Sequence, residues 1–323
     1  MRIPVAALVA ALVAAGVAPA QAQTKLRLGY SLSPTSHYGI GATIFMNEVA
    51  RRTGGRITIQ DFPNNALGGE REMVEAAQLG TLDFVVTSTG PVGNFVPETL
   101  ITDIPFLFRD YDHARRVLDG PLGQDILKKC ESKGLVCLSW WENGFRHLTN
   151  SKRPVNLPDD MKGLKVRTME NQVHMTAFRA LGAAPTPMAF PEVFGALQQG
   201  TVDGQENPMP VILNAKFGQV QKYVSLTGHV YSPALAIMSM ASWKKLAKDD
   251  QAIVRDAARL GAAANRQKVL ADEQVGVAEL TKAGVQVIQK VDTAAFQKAL
   301  APAYAEYAKK FGQANIDRLK NYK

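Results

Sequence analysis

The longest helical pattern in the sequence covers residues 249–283 and is rich in alanine. At 1.5 Å per residue, a helix of that length would reach roughly 50 Å, which is more than one small domain needs. A chain of about 300 residues is also long enough for two domains with cores of their own. The pattern therefore predicts a helix that bridges two parts of a two-domain protein.

Short apolar segments alternate with helical patterns along the rest of the chain, which predicts an α/β fold. Strands are expected at residues 25–30, 56–62, 84–87, 135–140, 235–241 and 285–291. The segment 84–87 is apolar throughout, which is typical of a parallel sheet covered on both faces. The segment 146–154 is polar, and we interpret it as a loop that crosses from one domain to the other.

The amino terminus has the pattern of a secretory signal. Arg2 precedes an apolar run from Val5 to Val17, and residues 18–22 (APAQA) offer two A-x-A cleavage sites. The run is shorter than the roughly 20 residues that span a bilayer, and no later stretch approaches that length. We expect a cleaved signal over residues 1–22 and a periplasmic protein that does not span the membrane, with an uncleaved anchor as the alternative.

The charge and the cysteines exclude some classes of protein. The formal net charge is +8, but the Lys and Arg residues are scattered without a basic run, so no nucleic-acid partner is expected. An anionic small molecule or plain solubility explains the charge better. Cys130 and Cys137 lie across a predicted turn, which leaves a disulfide and two free thiols both open. With no nearby His pair they do not predict a metal site.

Arg167 is the first candidate for a binding residue. Leu164, Val166 and Thr168 alternate with polar residues after Gly163, which predicts a strand that ends near Met169. Ligands of open α/β sheets bind beyond the carboxyl ends of strands, and the planar fork of Arg matches a carboxylate with two parallel hydrogen bonds. A surface ion pair is the alternative for an arginine at this position.

Polar groups follow other predicted strands. Ser88 lies in the hydroxyl-rich segment 87–91, Arg146 follows the strand at 135–140, and Asn207 lies in the polar segment 201–208. An asparagine both donates and accepts hydrogen bonds, which suits a ligand with carboxylate and hydroxyl groups.

Catalytic motifs are absent from the sequence. It contains no G-x-S-x-G, H-E-x-x-H, G-x-G-x-x-G or phosphate loop, and its five histidines lack metal-ligand spacing. His147, next to Arg146, is the one candidate acid or base for the alternative of a periplasmic hydrolase or lyase. We predict no catalytic residue, no cofactor and no metal.

Five segments carry a family resemblance: 67–73 (LGGEREM), 143–146 (NGFR), 161–167 (MKGLKVR), 185–193 (PTPMAFPEV) and 202–208 (VDGQENP). In this order, they resemble the extracytoplasmic solute-binding proteins of tripartite ATP-independent periplasmic (TRAP) transporters, of the DctP type. The resemblance is close to collinear from Leu26 to the carboxyl terminus.

The resemblance implies an α/β, two-lobed periplasmic binding protein clamshell with a long helix shared by both lobes. Lobe I would comprise residues 23–144 and 234–273, and lobe II residues 145–233 and 274–323. Arg167 would pair with the ligand carboxylate, Arg146 and Asn207 match further ligand contacts, and Phe190 matches a position that packs against the ligand.

The remaining candidate residues also rest on the resemblance. Glu70 and Ser88 match positions that touch the polar tail of the ligand in sialic-acid-binding relatives. Those relatives carry an acidic residue at the Ser88 position and an arginine at the Pro91 position, so sialic acid is disfavoured. Ser31, His37 and Tyr231 lie on segments expected to face the cleft, and Met169 ends the Arg167 strand.

The sequence thus predicts a protein that captures a small organic acid and delivers it to the membrane subunits of a TRAP permease. A hydroxylated monocarboxylate such as a sugar acid is favoured. A C4-dicarboxylate, a keto acid, an aromatic acid and a sensory role without transport are the alternatives. A monomer is expected.

Overall fold

The computed structural model describes residues 23–323, so the predicted signal, residues 1–22, lies outside the described residues. The strands are β1 Thr24–Tyr30, β2 Ile57–Phe62, β3 Phe84–Ser88, β4 Leu135–Asn150, β5 Lys165–Thr168, β6 Ala184–Pro187, β7 Gly204–Pro208, β8 Tyr223–Ser239 and β9 Gln286–Ile288. The α-helices are α1 His37–Arg52, α2 Glu70–Leu79, α3 Thr89–Val92, α4 Tyr111–Asp119, α5 Pro121–Lys128, α6 Gln172–Ala180, α7 Val193–Gln198, α8 Met209–Asn214, α9 Met240–Trp243, α10 Lys248–Lys282, α11 Thr293–Ala299, α12 Ala301–Phe311 and α13 Gln313–Lys320. Short 3₁₀ helices lie at Pro97–Asp103, Lys129–Lys133, Pro158–Met161, Phe190–Glu192 and Phe217–Gln219.

These strands form one mixed sheet in the order β2-β1-β3-β8-β4-β7-β5-β6, and β9 pairs with β8. At one end β1 is parallel to β2 and to β3, and at the other end β5 is parallel to β6 and to β7. The long strands β4 and β8 run antiparallel between the two groups. The predicted α/β class and two-lobed architecture are confirmed.

The long strand β4 corrects the loop predicted at residues 146–154. It continues to Asn150 because the polar side chains of this segment are buried and find partners in the protein. Thr149 Oγ1 donates to Gln221 Oε1 over 2.7 Å, and Asn150 Oδ1 accepts from two backbone amides. Polarity here reflects buried hydrogen bonding rather than exposure to solvent.

The two long strands change neighbours in the middle of their length. β3 pairs with the Ala234–Met238 part of β8, whereas β7 pairs with the Arg146–Asn150 part of β4. The register between β4 and β8 also shifts between Glu142 and Gly144, where Gly144 has a φ of 119° that favours glycine. Lobe boundaries at 144/145 and 233/234 fit this change of neighbours, and we keep the division into residues 23–144 with 234–273 and 145–233 with 274–323 as a proposal.

The predicted long helix is α10, which packs against α1 near its start and against α8 and β9 nearer its end. It approaches α1 at a pair of glycines: a Cβ on either Gly41 or Gly261 would lie 2.8 Å from the carbonyl oxygen of the other. Trp141 fills the same crossing, and its indole nitrogen donates to the carbonyl of Ala258 over 3.0 Å. Backbones can approach this closely only where side chains are absent.

Two further sequence questions are answered by the fold. Cys130 and Cys137 form a disulfide, because the turn after the 3₁₀ helix brings their Cα atoms to 5.8 Å. Within residues 23–323, none of the helices is both long enough and apolar enough to cross a bilayer.

Candidate functional site

A narrow cavity lies beyond the carboxyl ends of β1, β3, β5 and β7. Its volume open to the centres of water molecules is about 10 Å³, enough for roughly one water. Ligands of α/β proteins bind at this edge of a sheet, where loops and helix starts from several strands meet. The lining residues are Ser31, Leu32, Tyr38, Glu70, Ser88, Asn143, Arg167, Met169, Phe190, Asn207 and Val211.

Arg167 reaches the cavity from the end of β5 and is buried. Its Nε and Nη2 both donate to the carbonyl oxygen of Met188, over 3.0 and 2.6 Å. Its Nη1 is buried and has no hydrogen-bond partner among residues 23–323. Burial lowers the pKa of Arg167 to about 10. The guanidinium is therefore held in place on one side and offers unused donors on the other.

Arg146 is buried behind the cavity wall, where Glu206 neutralises it. Its Nε and Nη2 lie 2.5 and 2.9 Å from the two carboxylate oxygens of Glu206. Burial raises the pKa of Glu206, but Arg146 and the neighbouring His229 outweigh that effect and hold the pKa well below its usual range. Glu206 therefore stays ionised, and the two residues form a fully buried ion pair.

Asn207 links this ion pair to the cavity. Its Oδ1 accepts from Arg146 Nη2 over 3.2 Å, and its Nδ2 donates to Gln205 Oε1 over 2.5 Å. Since an amide nitrogen carries two hydrogens, one remains for the cavity. The pair of contacts fixes which way the amide points.

Glu70 supplies a carboxylate at the start of α2. Its Oε1 accepts three hydrogen bonds, from Thr87 Oγ1, Ser88 N and Ser88 Oγ, over 2.9 to 3.1 Å. Its Oε2 accepts none within the described part of the chain. One oxygen thus orients the carboxylate, and the other remains free to accept a hydrogen bond.

Seven of the ten residues predicted from the sequence meet at this cavity: Ser31, Glu70, Ser88, Arg167, Met169, Phe190 and Asn207. Arg146, His37 and Tyr231 do not line it. Arg146 is occupied by Glu206, as described above.

His37 and Tyr231 also make their side-chain hydrogen bonds to other buried residues of the protein. His37 is buried behind Asn143, with its Nε2 3.2 Å from Asn143 Oδ1, and burial lowers its pKa to about 3. Tyr231 is buried among aromatic rings, and its hydroxyl donates to Glu142 Oε2 over 2.9 Å.

Sequence reasoning missed Leu32, Tyr38, Asn143 and Val211. The sequence offered a reason to include Asn143, because it belongs to the same NGFR segment as Arg146. In the structure, its Nδ2 donates to Ser88 Oγ over 3.2 Å. Tyr38 lies 3.4 Å from the same hydroxyl and belongs to α1, and nothing in the sequence distinguished its cavity-facing side. Leu32 and Val211 belong to the buried core and had no distinguishing signal.

Two tryptophans and His147, the candidate acid or base, lie away from this cavity. Trp140 and Trp141 are buried in the core, and their indole nitrogens donate to Gly123 and Ala258. Burial lowers the pKa of His147 to about 3, and this residue does not line the cavity. Within the described range 23–323, no three His, Cys, Asp or Glu side chains are grouped to hold a metal ion.

Comparisons with known proteins agree with the resemblance seen in the sequence. Residues 28–310 match the family model described as bacterial extracellular solute-binding protein, family 7. A crystal structure of a TRAP periplasmic solute-binding protein from a Polaromonas species, bound to D-erythronate, is 59% identical with a TM-score of 0.91 and covers 92% of this chain and 98% of that one.

Two further proteins are similar over nearly their whole length. A TRAP periplasmic solute-binding protein from Bordetella bronchiseptica, with density assigned to pantoate, is 53% identical, with a TM-score of 0.91, over 93% of this chain and 100% of that chain. A solute-binding protein of Verminephrobacter eiseniae is 55% identical over 304 residues, which is 94% of this chain and 91% of the relative.

Proposed function

The chain belongs to the bacterial extracellular solute-binding proteins of family 7, the DctP family of TRAP transporters, and from that premise we propose that its cavity captures a small hydroxylated monocarboxylate. The proteins of this family are binding proteins, not enzymes, and they bind small organic acids. We further propose that this chain is exported through a cleaved signal, acts as a monomer and delivers its ligand to TRAP permease subunits.

The unused donor of Arg167 is the observation that carries the proposal. A buried charged donor without a partner costs more than the about 1–3 kcal/mol of a neutral group. A carboxylate would satisfy Nη1 and neutralise the charge, in a setting where charge-assisted hydrogen bonds are roughly twice as strong as neutral ones. Arg146 is not available for this role because Glu206 already neutralises it.

The rest of the cavity wall favours hydroxyl groups over a second carboxylate. Glu70 already places a carboxylate at the wall, and its free oxygen can accept a hydrogen bond from a ligand hydroxyl. A second ligand carboxylate would be repelled there, since like charges at close range disfavour each other. Ser31, Ser88 and Asn143 add small polar groups of the kind that bind hydroxyls.

The similar proteins support the same ligand class. D-erythronate and pantoate, found with the two solved structures, are each a monocarboxylate that carries hydroxyl groups. Sugar acids fit this description. C4-dicarboxylates carry two carboxylates, whereas Arg167 is the one cationic side chain among residues 23–323 that lines the cavity.

Hydrogen bonds across the cleft explain how capture would change the shape of the molecule. Asn214 Nδ2 donates to Ser33 Oγ over 2.7 Å and Asn94 Nδ2 donates to the Glu170 carbonyl over 3.0 Å, so each bond joins the two proposed lobes. Opening of the cleft would break both bonds and expose the cavity. Closure therefore alters the outer surface, which would let a permease distinguish the loaded protein from the empty one.

A matched set of four-carbon compounds tests the proposal. Thermal unfolding of the mature protein would be followed with erythronate, butyrate, succinate and erythritol, which vary the carboxylate and the hydroxyls separately. We expect only erythronate to raise the unfolding temperature. A ligand at 100 times its Kd stabilises the folded state by about 2.7 kcal/mol, which is several degrees for a protein of this size.

Each failure has its own meaning. A shift with erythritol would remove the requirement for a carboxylate, and an equal shift with succinate would remove the preference for one carboxylate. Delivery is tested separately, by uptake of the labelled acid into vesicles that contain the permease subunits. Uptake that does not depend on this protein would contradict a transport role.

A further inference from the structure

A second, wider pocket lies next to the narrow cavity around Arg167. We call the narrow cavity the inner cavity and the wider pocket the mouth pocket. Its volume open to water centres is about 250 Å³, against about 10 Å³ for the inner cavity. The two spaces share Ser31 and Phe190 as lining residues. The mouth pocket is lined by Ser31, Asn64, Asn65, Phe190, Pro191, Phe194, Asn214, Ala215 and Phe217.

We propose that Phe190 limits the chain length of the ligand. Its ring separates an inner cavity for short hydroxy acids from a mouth pocket that would take the hydroxylated tail of a longer sugar acid. This inference rests on the proposed function, because it requires a carboxylate held at Arg167.

Phe190 is the one large side chain of the described chain shared by the linings of the two spaces, so the wall of the inner cavity has free space behind it at this residue. Leu32, Tyr38 and Val211 are fully packed in the hydrophobic core, and Met169 presses so closely on Gly90 that a Cβ there would lie 2.7 Å from its Cε. Phe190 is partly exposed and begins a short 3₁₀ helix. A longer ligand would therefore be accommodated by displacement of this ring rather than of the core side chains.

The mouth pocket has the chemistry of a site for an uncharged polyol. None of its lining residues is charged, and it combines three aromatic rings with the amides of Asn64, Asn65 and Asn214. Asn65 donates through Nδ2 to the carbonyl of Ser31, over 3.1 Å, while its Oδ1 is buried without a partner in the described chain. A ligand hydroxyl is the kind of donor that this oxygen lacks.

Both proposed lobes build the mouth pocket. Asn64 and Asn65 follow β2, whereas Phe194 and Asn214 come from α7 and α8. The bond between Asn214 and Ser33 holds the two sides together beside it. The pocket is therefore complete only when the cleft is closed. The hydroxylated tail of a ligand would contact it after the carboxylate is bound at Arg167.

The test is a length series of aldonates measured by isothermal titration calorimetry. Glycerate, erythronate, ribonate and gluconate keep the same acid end, and each member has one hydroxylated carbon more than the one before. The wild-type protein should bind gluconate about tenfold or more weakly than erythronate, as expected when a ligand exceeds a rigid pocket.

Two variants of Phe190 reduce the ring that lies between the inner cavity and the mouth pocket, and they leave Arg167 intact. In Phe190→Ala the ratio of the gluconate Kd to the erythronate Kd should fall about tenfold or more. Phe190→Leu should lower it less, and adding Asn65→Ala to Phe190→Ala should weaken gluconate but not erythronate. Phe311→Ala removes a partly buried ring on α12 that lines neither space, and it should leave the ratio unchanged.

The outcomes separate this inference from the proposed function. If both Phe190 variants bind erythronate and keep the wild-type ratio of the gluconate Kd to the erythronate Kd, Phe190 does not limit the chain length and the proposed function stands. The same conclusion follows if the wild type binds gluconate as tightly as erythronate. If no aldonate binds any of the proteins, the proposed function fails, and the inference fails with it.

Discussion

Two arginines are buried beside the same cavity, but their hydrogen-bonding groups are used differently. Arg146 on β4 gives two nitrogens to the carboxylate of Glu206 and a further bond to Asn207. Arg167 on β5 gives two nitrogens to a single carbonyl oxygen and keeps Nη1 unused. The same residue type therefore holds the wall together in one place and remains available for an anion in the other.

The difference shows that burial alone does not distinguish an arginine with an unused donor from one that is neutralised inside the protein. Both side chains are almost fully buried, and both were predicted to contact the ligand. What separates them is whether a partner inside the protein already neutralises the charge. Arg146 acts on the cavity through Asn207, so we regard it as a positioning residue.

The largest expected effect is on stability, from Arg146→Met. The change leaves Glu206 as a buried charge without its partner, which typically costs about 3–5 kcal/mol. Urea unfolding at pH 7 measures the free energy of unfolding directly. Arg259→Met is the matched control, because Arg259 is exposed and pairs with Asp256 on the surface, where such pairs contribute less than about 1 kcal/mol. A loss no larger than that of the control would remove the distinction between the two buried arginines.

Arg167→Met should instead abolish binding with little loss of stability. Truncating one partner of a buried hydrogen-bonded charge pair costs about 2–5 kcal/mol of binding free energy, which corresponds to roughly 30-fold to several-thousand-fold in Kd. The free protein should be as stable as the wild type or more stable, because a buried charge without a counter-ion is removed. Calorimetric titration and urea unfolding of the same preparation give both values. Retained affinity, or instability equal to that of Arg146→Met, would contradict the assigned roles.

A double variant sharpens the comparison. Adding Glu206→Gln to Arg146→Met removes the stranded charge and keeps a group that can bond His229, so much of the lost stability should return. The quantity to measure is the coupling free energy from a double-mutant cycle in urea. Purely additive losses would mean that the two side chains do not act as a pair.

The last comparison concerns a change with pH at Asp103, which accepts hydrogen bonds from Thr89 and from Asn171, just after the Arg167 strand. Burial raises the pKa of Asp103 to about 7, although both hydrogen bonds and Arg146 oppose the rise. A carboxyl group with a raised folded-state pKa stabilises the protein fully below its unfolded value of 3.8, and this contribution is lost as pH rises through about 7.

The variant Asp103→Asn lacks this titration. The unfolding temperature of the wild type, relative to that of Asp103→Asn, should therefore fall between about pH 4 and pH 7.5. Burial also raises the pKa of Glu273 to about 7, but that group is present in both proteins and cancels in the difference. His37, His147 and His174 have folded-state pKa values lowered to about 3, so in this range they titrate only in the unfolded state, and their contribution also cancels in the difference. A difference that stays constant with pH would show that Asp103 is ionised throughout.

Much of the fold could be predicted because it depends on neighbours in the chain. The alternation of strands and helices, the helix at 249–283 and the strand that ends near Met169 are all local patterns, and each has its counterpart in β1 to β9 and α10. The loop predicted at 146–154 was wrong over residues 146–150, which belong to β4, for the opposite reason. Thr149 bonds to Gln205 and Gln221, more than 50 positions away, and a local pattern cannot show such partners.

The sequence by itself determined the α/β class, the family and the position of Arg167 at a strand end, because periodicity and motif order are properties of the linear chain. Only the tertiary structure decided which arginine keeps a free donor. The pairing of β4 with β7 sets His147 opposite Asn207 and so brings Glu206, which is 60 residues away, against Arg146. The packing of helices and loops around the sheet decided that Asn143 and Tyr38 share a cavity wall with Glu70, and that Phe190 lines both the tight inner cavity and the wider mouth pocket. Distances between side chains depend on which strands become neighbours, and the spacing of residues along the chain does not specify that.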